Sequence, residues 1–132
     1  MYYKLFVSML IFFVSNMLLG KNYMMNCISP DFKSTAFYKF DSINEKLFMR
    51  SVKKKWKDFC TSDTENEGNI SCTINKFNII RSSTIKNEQD YLEKYLNINF
   101  TKYSLIETIK IYKNNSLKEK IDNTYKCRKV KI

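Results

Sequence analysis

Four cysteines carry the chemistry that the sequence indicates most clearly. Cys27, Cys60, Cys72 and Cys127 contain no Cys-x-x-Cys pair, and this spacing disfavours zinc-ribbon, thioredoxin-like and chemokine-like sites. In a secreted chain, such cysteines predict two disulfides in one of three pairings. We favour Cys27–Cys60 with Cys72–Cys127. The first bond would connect a helical segment to the residues that precede it, and the second would link two strands.

The residues that are missing exclude several kinds of catalysis. The chain has no histidine and only two glycines, which excludes Ser-His-Asp and Cys-His catalysis, His-ligated zinc and glycine-rich phosphate loops. Asp63, Glu65, Glu67 and Gly68 resemble the start of a calcium-binding EF-hand loop, but Ile74 stands where that loop requires a bidentate acid. We therefore predict a non-enzymatic protein that uses no metal and no cofactor.

The positive charges suggest a binding surface. The formal net charge is +10, and four cations recur at helical spacing within a sector of about 60° on a predicted helix, namely Lys46, Arg50, Lys53 and Lys57. The apolar residues of this helix lie on its other side and are Phe48, Val52, Trp56 and Phe59. A basic amphipathic helix predicts a face for an anionic partner. The alternative is a core helix whose basic side is simply solvated.

Residues 1–20 have the pattern of a secretory signal. Lys4 precedes an apolar run from Leu5 to Leu19, and a helix of this length would rise about 22 Å, short of the roughly 30 Å hydrocarbon core. We predict a cleaved signal peptide at 1–20 and a single small secreted domain at 21–132. An uncleaved signal anchor is the alternative. In the secreted chain, the sequons at Asn69, Asn99 and Asn114 predict glycosylation sites on the surface.

Apolar periodicity predicts an α+β fold in which an N-terminal helical segment packs on a small antiparallel sheet, with one further helix and two disulfides. The helical segment begins at Ser29-Pro30-Asp31 and restarts at a Ser42-x-x-Glu45 capping box. The further helix spans Asn87 to Ile98, and the strands cover residues 70–79, 105–113 and 123–132. The last of these segments also fits helical spacing, so an all-helical protein remains an alternative.

Two resemblances supply alternative folds. Gly68-Asn69-Ile70-Ser71-Cys72 and Tyr125-Lys126-Cys127 resemble the two cysteine strands of an immunoglobulin-like domain, which implies a β-sandwich. A cysteine before the first predicted helix, together with two disulfides, resembles short helical cytokines and implies a helical bundle. Neither resemblance implies a function for this chain.

The function expected from these observations is that of a secreted, non-enzymatic binding protein. Its partner would be an extracellular protein or receptor, and its role that of a host-interaction factor, soluble ligand or decoy. The alternative is a basic protein that binds glycosaminoglycan or an anionic membrane surface. Nucleic acid is not an expected partner, because no base-stacking motif accompanies the basic residues.

Overall fold

The computed structural model describes residues 21–61 and 67–131, and every regular element in these residues is a β-strand. The strands are β1 Asn22–Ile28, β2 Thr35–Asp41, β3 Lys46–Ser51, β4 Lys57–Asp58, β5 Glu67–Asn75, β6 Asn78–Asn87, β7 Asp90–Asn99, β8 Ser104–Lys113 and β9 Ser116–Lys129. The predicted signal peptide lies outside the described residues.

The strands form one curled antiparallel sheet in the order β4-β3-β2-β1-β9-β8-β7-β6-β5. Strands that follow one another along the chain are neighbours in the sheet, except β4 and β5, which form its two edges. The first and last strands also pair, through Met25–Ile28 of β1 and Lys126–Lys129 of β9. This pairing joins two meanders, β1–β4 and β5–β9, into a single sheet.

Two disulfides reinforce the sheet at its two junctions. Cys27 lies directly opposite Cys127 in the β1–β9 register, with 4.1 Å between their Cα atoms, and the two residues are bonded. Cys60, just after β4, is bonded to Cys72 of β5 and so connects the two edges. The predicted presence of two disulfides is confirmed. The favoured pairing is wrong, because the strand ladder holds Cys27 against Cys127 and leaves Cys60 beside Cys72.

The inward faces of the two meanders meet in the core. Ring contacts cross between them: the Phe40 and Phe100 centroids lie 5.6 Å apart, and those of Tyr23 and Phe77 lie 4.9 Å apart. The buried apolar residues are Met25, Cys27, Tyr38, Phe40, Leu47, Phe59, Ile79, Leu96, Ile98, Phe100 and Leu105. The curl of the sheet therefore lets one sheet bury its own inner surface.

A buried ion pair lies within this core beside the open seam between β4 and β5. The Arg81 guanidinium is 2.7 Å from the Glu67 carboxylate, and both side chains are almost fully buried. The Nε atom of Arg81 also donates a hydrogen bond of 2.6 Å to the carbonyl of Phe59, and the guanidinium lies 3.9 Å from the centre of the Phe59 ring. Since Phe59 follows β4 and Glu67 begins β5, Arg81 on β6 connects the two edges from inside.

The predicted helices, and with them the α+β fold, are wrong. A separation of four residues places side chains on one face of a helix, but four is an even number, so it also places them on one face of a strand. Ala36 and Phe40, which lie four residues apart in the predicted helical segment, both face inward from β2, and Tyr38 between them is buried too. The helical signal was therefore equally compatible with strands.

The segment predicted as the further helix is the hairpin strand β7. Leu92 and Leu96 point to the inner face of the sheet, while Tyr91 and Tyr95 point to the outer face. Apolar residues on both faces of one strand imitate the adjacent pairs of a helical stripe. The sequence pattern therefore does not distinguish the single apolar face of a helix from the two faces of β7.

The segments predicted to start helices form turns instead. The Asp41 carboxylate accepts backbone hydrogen bonds from Ile43 and Asn44 in the β2–β3 turn, where Glu45 has a φ of 51°. At the β1–β2 connection, the Ser29 hydroxyl donates a hydrogen bond of 2.6 Å to Asp31. Ser, Asp and Asn side chains satisfy backbone groups in turns as readily as at helix starts.

Neither alternative fold matches the structure. The described residues contain no helix, which contradicts the cytokine-like bundle and the all-helical fold. An immunoglobulin-like sandwich would place two sheets face to face around a bond between the Cys72 and Cys127 strands. Here these cysteines belong to different disulfides within a single sheet.

We predict that Arg81→Met lowers the free energy of unfolding by about 3–5 kcal/mol, because it removes the cation beside the buried Glu67 carboxylate. Urea denaturation of the oxidised protein would measure this loss. Lys86→Met, at an exposed position of the same strand, is the control and should change stability by less than about 0.5 kcal/mol. Equal effects of the two substitutions would contradict the structural role of the ion pair.

Candidate functional site

Aromatic and cationic side chains gather on the outer surface of β2 and β3. On each strand, an aromatic side chain and a cationic side chain follow each other on the outward face. Trp56, from the segment before β4, lies beside them. We call this set the outer aromatic face; its members are Phe37, Lys39, Phe48, Arg50 and Trp56.

The β2–β3 register fixes the arrangement of this face. Phe37 pairs with Arg50 and Lys39 pairs with Phe48, so each aromatic ring has a cation directly across the ladder. The Arg50 guanidinium lies 4.3 Å from the centre of the Phe37 ring, and the Lys39 ammonium lies 5.1 Å from that of Phe48. Cross-strand pairs of this kind hold both side chains in place.

Trp56 lies between the two cations. Its ring centre is 4.7 Å from the Lys39 ammonium and 5.1 Å from the Arg50 guanidinium. The side chain is only half-buried and belongs to the outer surface, apart from the core. The expectation that Trp56 packs on the buried side of a helix is therefore wrong, and so is that for Val52, which is 54% exposed. Of that apolar set, Phe59 alone belongs to the buried core.

The four cations predicted as an anion-binding face are only partly brought together. Lys46 and Arg50 share the outer surface of β3, but Lys46 lies at its far end opposite Asp41. Lys53 follows the strand in a turn, with a φ of 65°, and Lys57 begins β4 opposite Met49. Arg50 and Lys57 line a common cleft, whereas Lys46 and Lys53 do not line it.

Sequence reasoning missed Phe37 and Lys39 as members of a surface site. Their signal was an aromatic residue followed two positions later by a basic one, in Phe37-Tyr38-Lys39 and Phe48-Met49-Arg50. Alternation of this kind separates the two faces of a strand. The helical spacing of other residues in the same segment hides this signal.

The predicted glycosylation sites lie at different kinds of position. Asn69 and Asn114 are exposed, and Asn114 occupies the β8–β9 turn with a φ of 51°. Asn69 donates a hydrogen bond of 3.3 Å from its side chain to the Thr84 hydroxyl. Asn99 is half-buried, and its side-chain oxygen accepts two backbone hydrogen bonds, from Thr101 and Lys102. Glycosylation at these sites remains a prediction.

A second polar cluster surrounds the buried Glu107 carboxylate. Lys94 forms an ion pair with it at 3.3 Å, and Asn123 donates a hydrogen bond of 3.1 Å to it. Burial, followed by the charge of Glu107, raises the pKa of Tyr125 from 10.0 to about 12. The Tyr125 hydroxyl therefore stays protonated well above neutral pH and acts as a hydrogen-bond donor to Glu107 at 3.5 Å.

The acidic segment compared with an EF-hand loop contains no described metal site. Glu67 faces inward and pairs with Arg81, while Asp63 and Glu65 lie outside the described residues. Within 21–61 and 67–131, no three His, Cys, Asp or Glu side chains are placed to hold a metal ion. In the same residues, no helix has the length and apolar character to cross a membrane.

Comparison with protein-family models, with curated proteins and with solved structures found no match to this chain. The outer aromatic face is therefore interpreted from its own geometry alone.

We predict that the ratio of iodide quenching to caesium quenching is higher for Trp56, the chain's one tryptophan, than for free N-acetyltryptophanamide. Lys39 and Arg50 beside the half-buried ring should attract the anion and repel the cation. Stern–Volmer slopes at low ionic strength would measure this difference, with neutral acrylamide as the control for access. An iodide-to-caesium ratio no higher than that of the free amide, or no quenching by acrylamide, would contradict the described position of Trp56.

Proposed function

We propose that this protein is a secreted, non-enzymatic binding protein whose outer aromatic face contacts an extracellular protein. The observation that carries this proposal is the position of Trp56, held on the surface between Lys39 and Arg50. Such a protein would act as a host-interaction factor, a soluble ligand or a decoy.

The composition of the face favours a protein partner. Trp and Arg are enriched among the residues that contribute most to binding energy at protein interfaces. The cross-strand contacts hold the rings and cations in one arrangement before binding, so less side-chain entropy is lost when a partner docks. The Trp56 ring is half-buried and lies outside the core, and aromatic side chains are enriched at protein interfaces relative to the rest of the surface.

The charges of the face indicate the chemistry of the partner. Lys39 and Arg50 flank the Trp56 ring, so the complementary surface would present an apolar centre with carboxylates beside it. Binding through such an apolar centre should persist as salt rises, because screening weakens the charged rim alone.

The cysteine chemistry agrees with secretion. Both disulfides use cysteines that the sequence assigns to the mature chain, and disulfides persist in oxidising compartments. The two disulfides are compatible with an extracellular protein. The apolar segment at 1–20 is the sequence feature that suggests secretion.

The proposal predicts that Trp56→Ala weakens capture of the protein's partner by roughly 30-fold, the loss expected for truncation of a central interface residue. Oxidised wild-type and variant proteins would be immobilised, exposed to host extracellular fluid at low and high salt, and compared by quantitative mass spectrometry. Dissociation constants would then be measured for each protein captured by the wild type.

The matched control is Tyr91→Ala on the other half of the sheet. Tyr91 stacks on Tyr112 with 4.6 Å between ring centres and is likewise half-buried on the outer surface. Captured proteins should bind the Tyr91 variant as they bind wild type. If every captured protein binds the Trp56 variant equally well, or is released by moderate salt, the outer aromatic face is not the protein-binding site.

A further inference from the structure

A second surface lies in a cleft beside the β3–β4 turn. It has a volume of about 350 Å³, and its walls include Met49 and Ser51 of β3, Ile85 of β6 and Lys94 of β7. The remaining cations on its walls are Arg50, Lys54, Lys55 and Lys57. We call this surface the basic cleft.

The charge of the basic cleft is strongly one-sided. Among the residues that the structure describes, five cations line it, and the one lining carboxylate is Glu67, which pairs with Arg81 in the core. Lys94 pairs with Glu107. In the part of the chain that the structure describes, Lys54, Lys55 and Lys57 form no ion pair. A concave site with this balance of charge concentrates anions.

We propose that the basic cleft binds the sulfate groups of a sulfated polysaccharide. A narrow polysaccharide chain can enter a cleft, whereas a planar membrane surface contacts only its rim. Lysine ammonium groups are compact point charges on flexible stems, and such groups can follow sulfates spaced along an irregular chain. The described lining residues include no aromatic ring on which a nucleic-acid base could stack.

This site differs from the proposed protein-binding face in all but one residue. The two surfaces share Arg50, which contacts the rings of Phe37 and Trp56. The three unpaired lysines belong to the basic cleft alone. Glycan binding can therefore be tested without altering the outer aromatic face, and either proposal can fail without the other.

The test is binding of a heparin-derived oligosaccharide to the oxidised protein, measured by calorimetry at several salt concentrations. The variant Lys54→Gln/Lys55→Gln/Lys57→Gln should weaken binding about tenfold, as three exposed ion pairs of about 0.5 kcal/mol each would imply. It should also reduce the dependence of binding on salt, because fewer cations then contact the ligand. Circular dichroism would verify folding, and Lys54→Gln/Lys55→Gln would serve if the triple variant does not fold.

The matched control removes the same charge elsewhere. Lys102, Lys129 and Lys131 are exposed and do not line the basic cleft, so their triple change to Gln should weaken binding less than about threefold, through net charge alone.

Three results would overturn the proposal. The first is equal weakening by the two triple variants, which would show that net charge alone attracts heparin. The second is equal affinity for chemically desulfated heparin. The third is binding to phosphatidylserine-containing vesicles that exceeds binding to heparin and is lost in the cleft variant, which would indicate a membrane partner.

Discussion

The pairing of β1 with β9 is the interaction on which the rest of the structure depends. It joins the two meanders, and the bond between Cys27 and Cys127 fixes it covalently. By loop-closure entropy, a cross-link over 100 residues contributes about 4.7 kcal/mol, against about 3 kcal/mol for a separation near that of Cys60 and Cys72. The longer bond is therefore the larger constraint on the unfolded chain, and it lies where the sheet would otherwise divide.

Curling the sheet around this pairing separates its two surfaces chemically. The inner surface holds the apolar core and encloses the ion pair of Arg81 and Glu67 beside the seam, where Cys60 and Cys72 also connect the edges. The outer surface carries residues that do not pack in the core, among them Trp56. The two candidate binding surfaces follow from this arrangement, because strand alternation places the aromatic residues outside while the curl creates a concave wall for the lysines.

How much the sequence could predict depended on whether a signal was local. The cysteines predicted two disulfides, but their pairing required the strand order, which brings residues 27 and 127 together. Ala36 and Phe40 could not distinguish helix from strand, since four residues is a repeat common to both. Arg81 gave no sequence signal of burial, because a charged residue is buried only when its partners are assembled by the fold. For the outer aromatic face, the sequence identifies Arg50 as a residue of a basic surface, but it places Trp56 on the apolar side of a helix and gives Phe37 no role.

The pairing of the first and last strands is tested most directly by peptide mapping of the unreduced protein. Proteolysis under conditions that prevent disulfide exchange, followed by mass spectrometry, should recover one peptide pair that contains Cys27 with Cys127 and another that contains Cys60 with Cys72. Recovery of Cys27 with Cys60, of Cys72 with Cys127, or of free thiols would contradict the sheet order and the two surfaces derived from it.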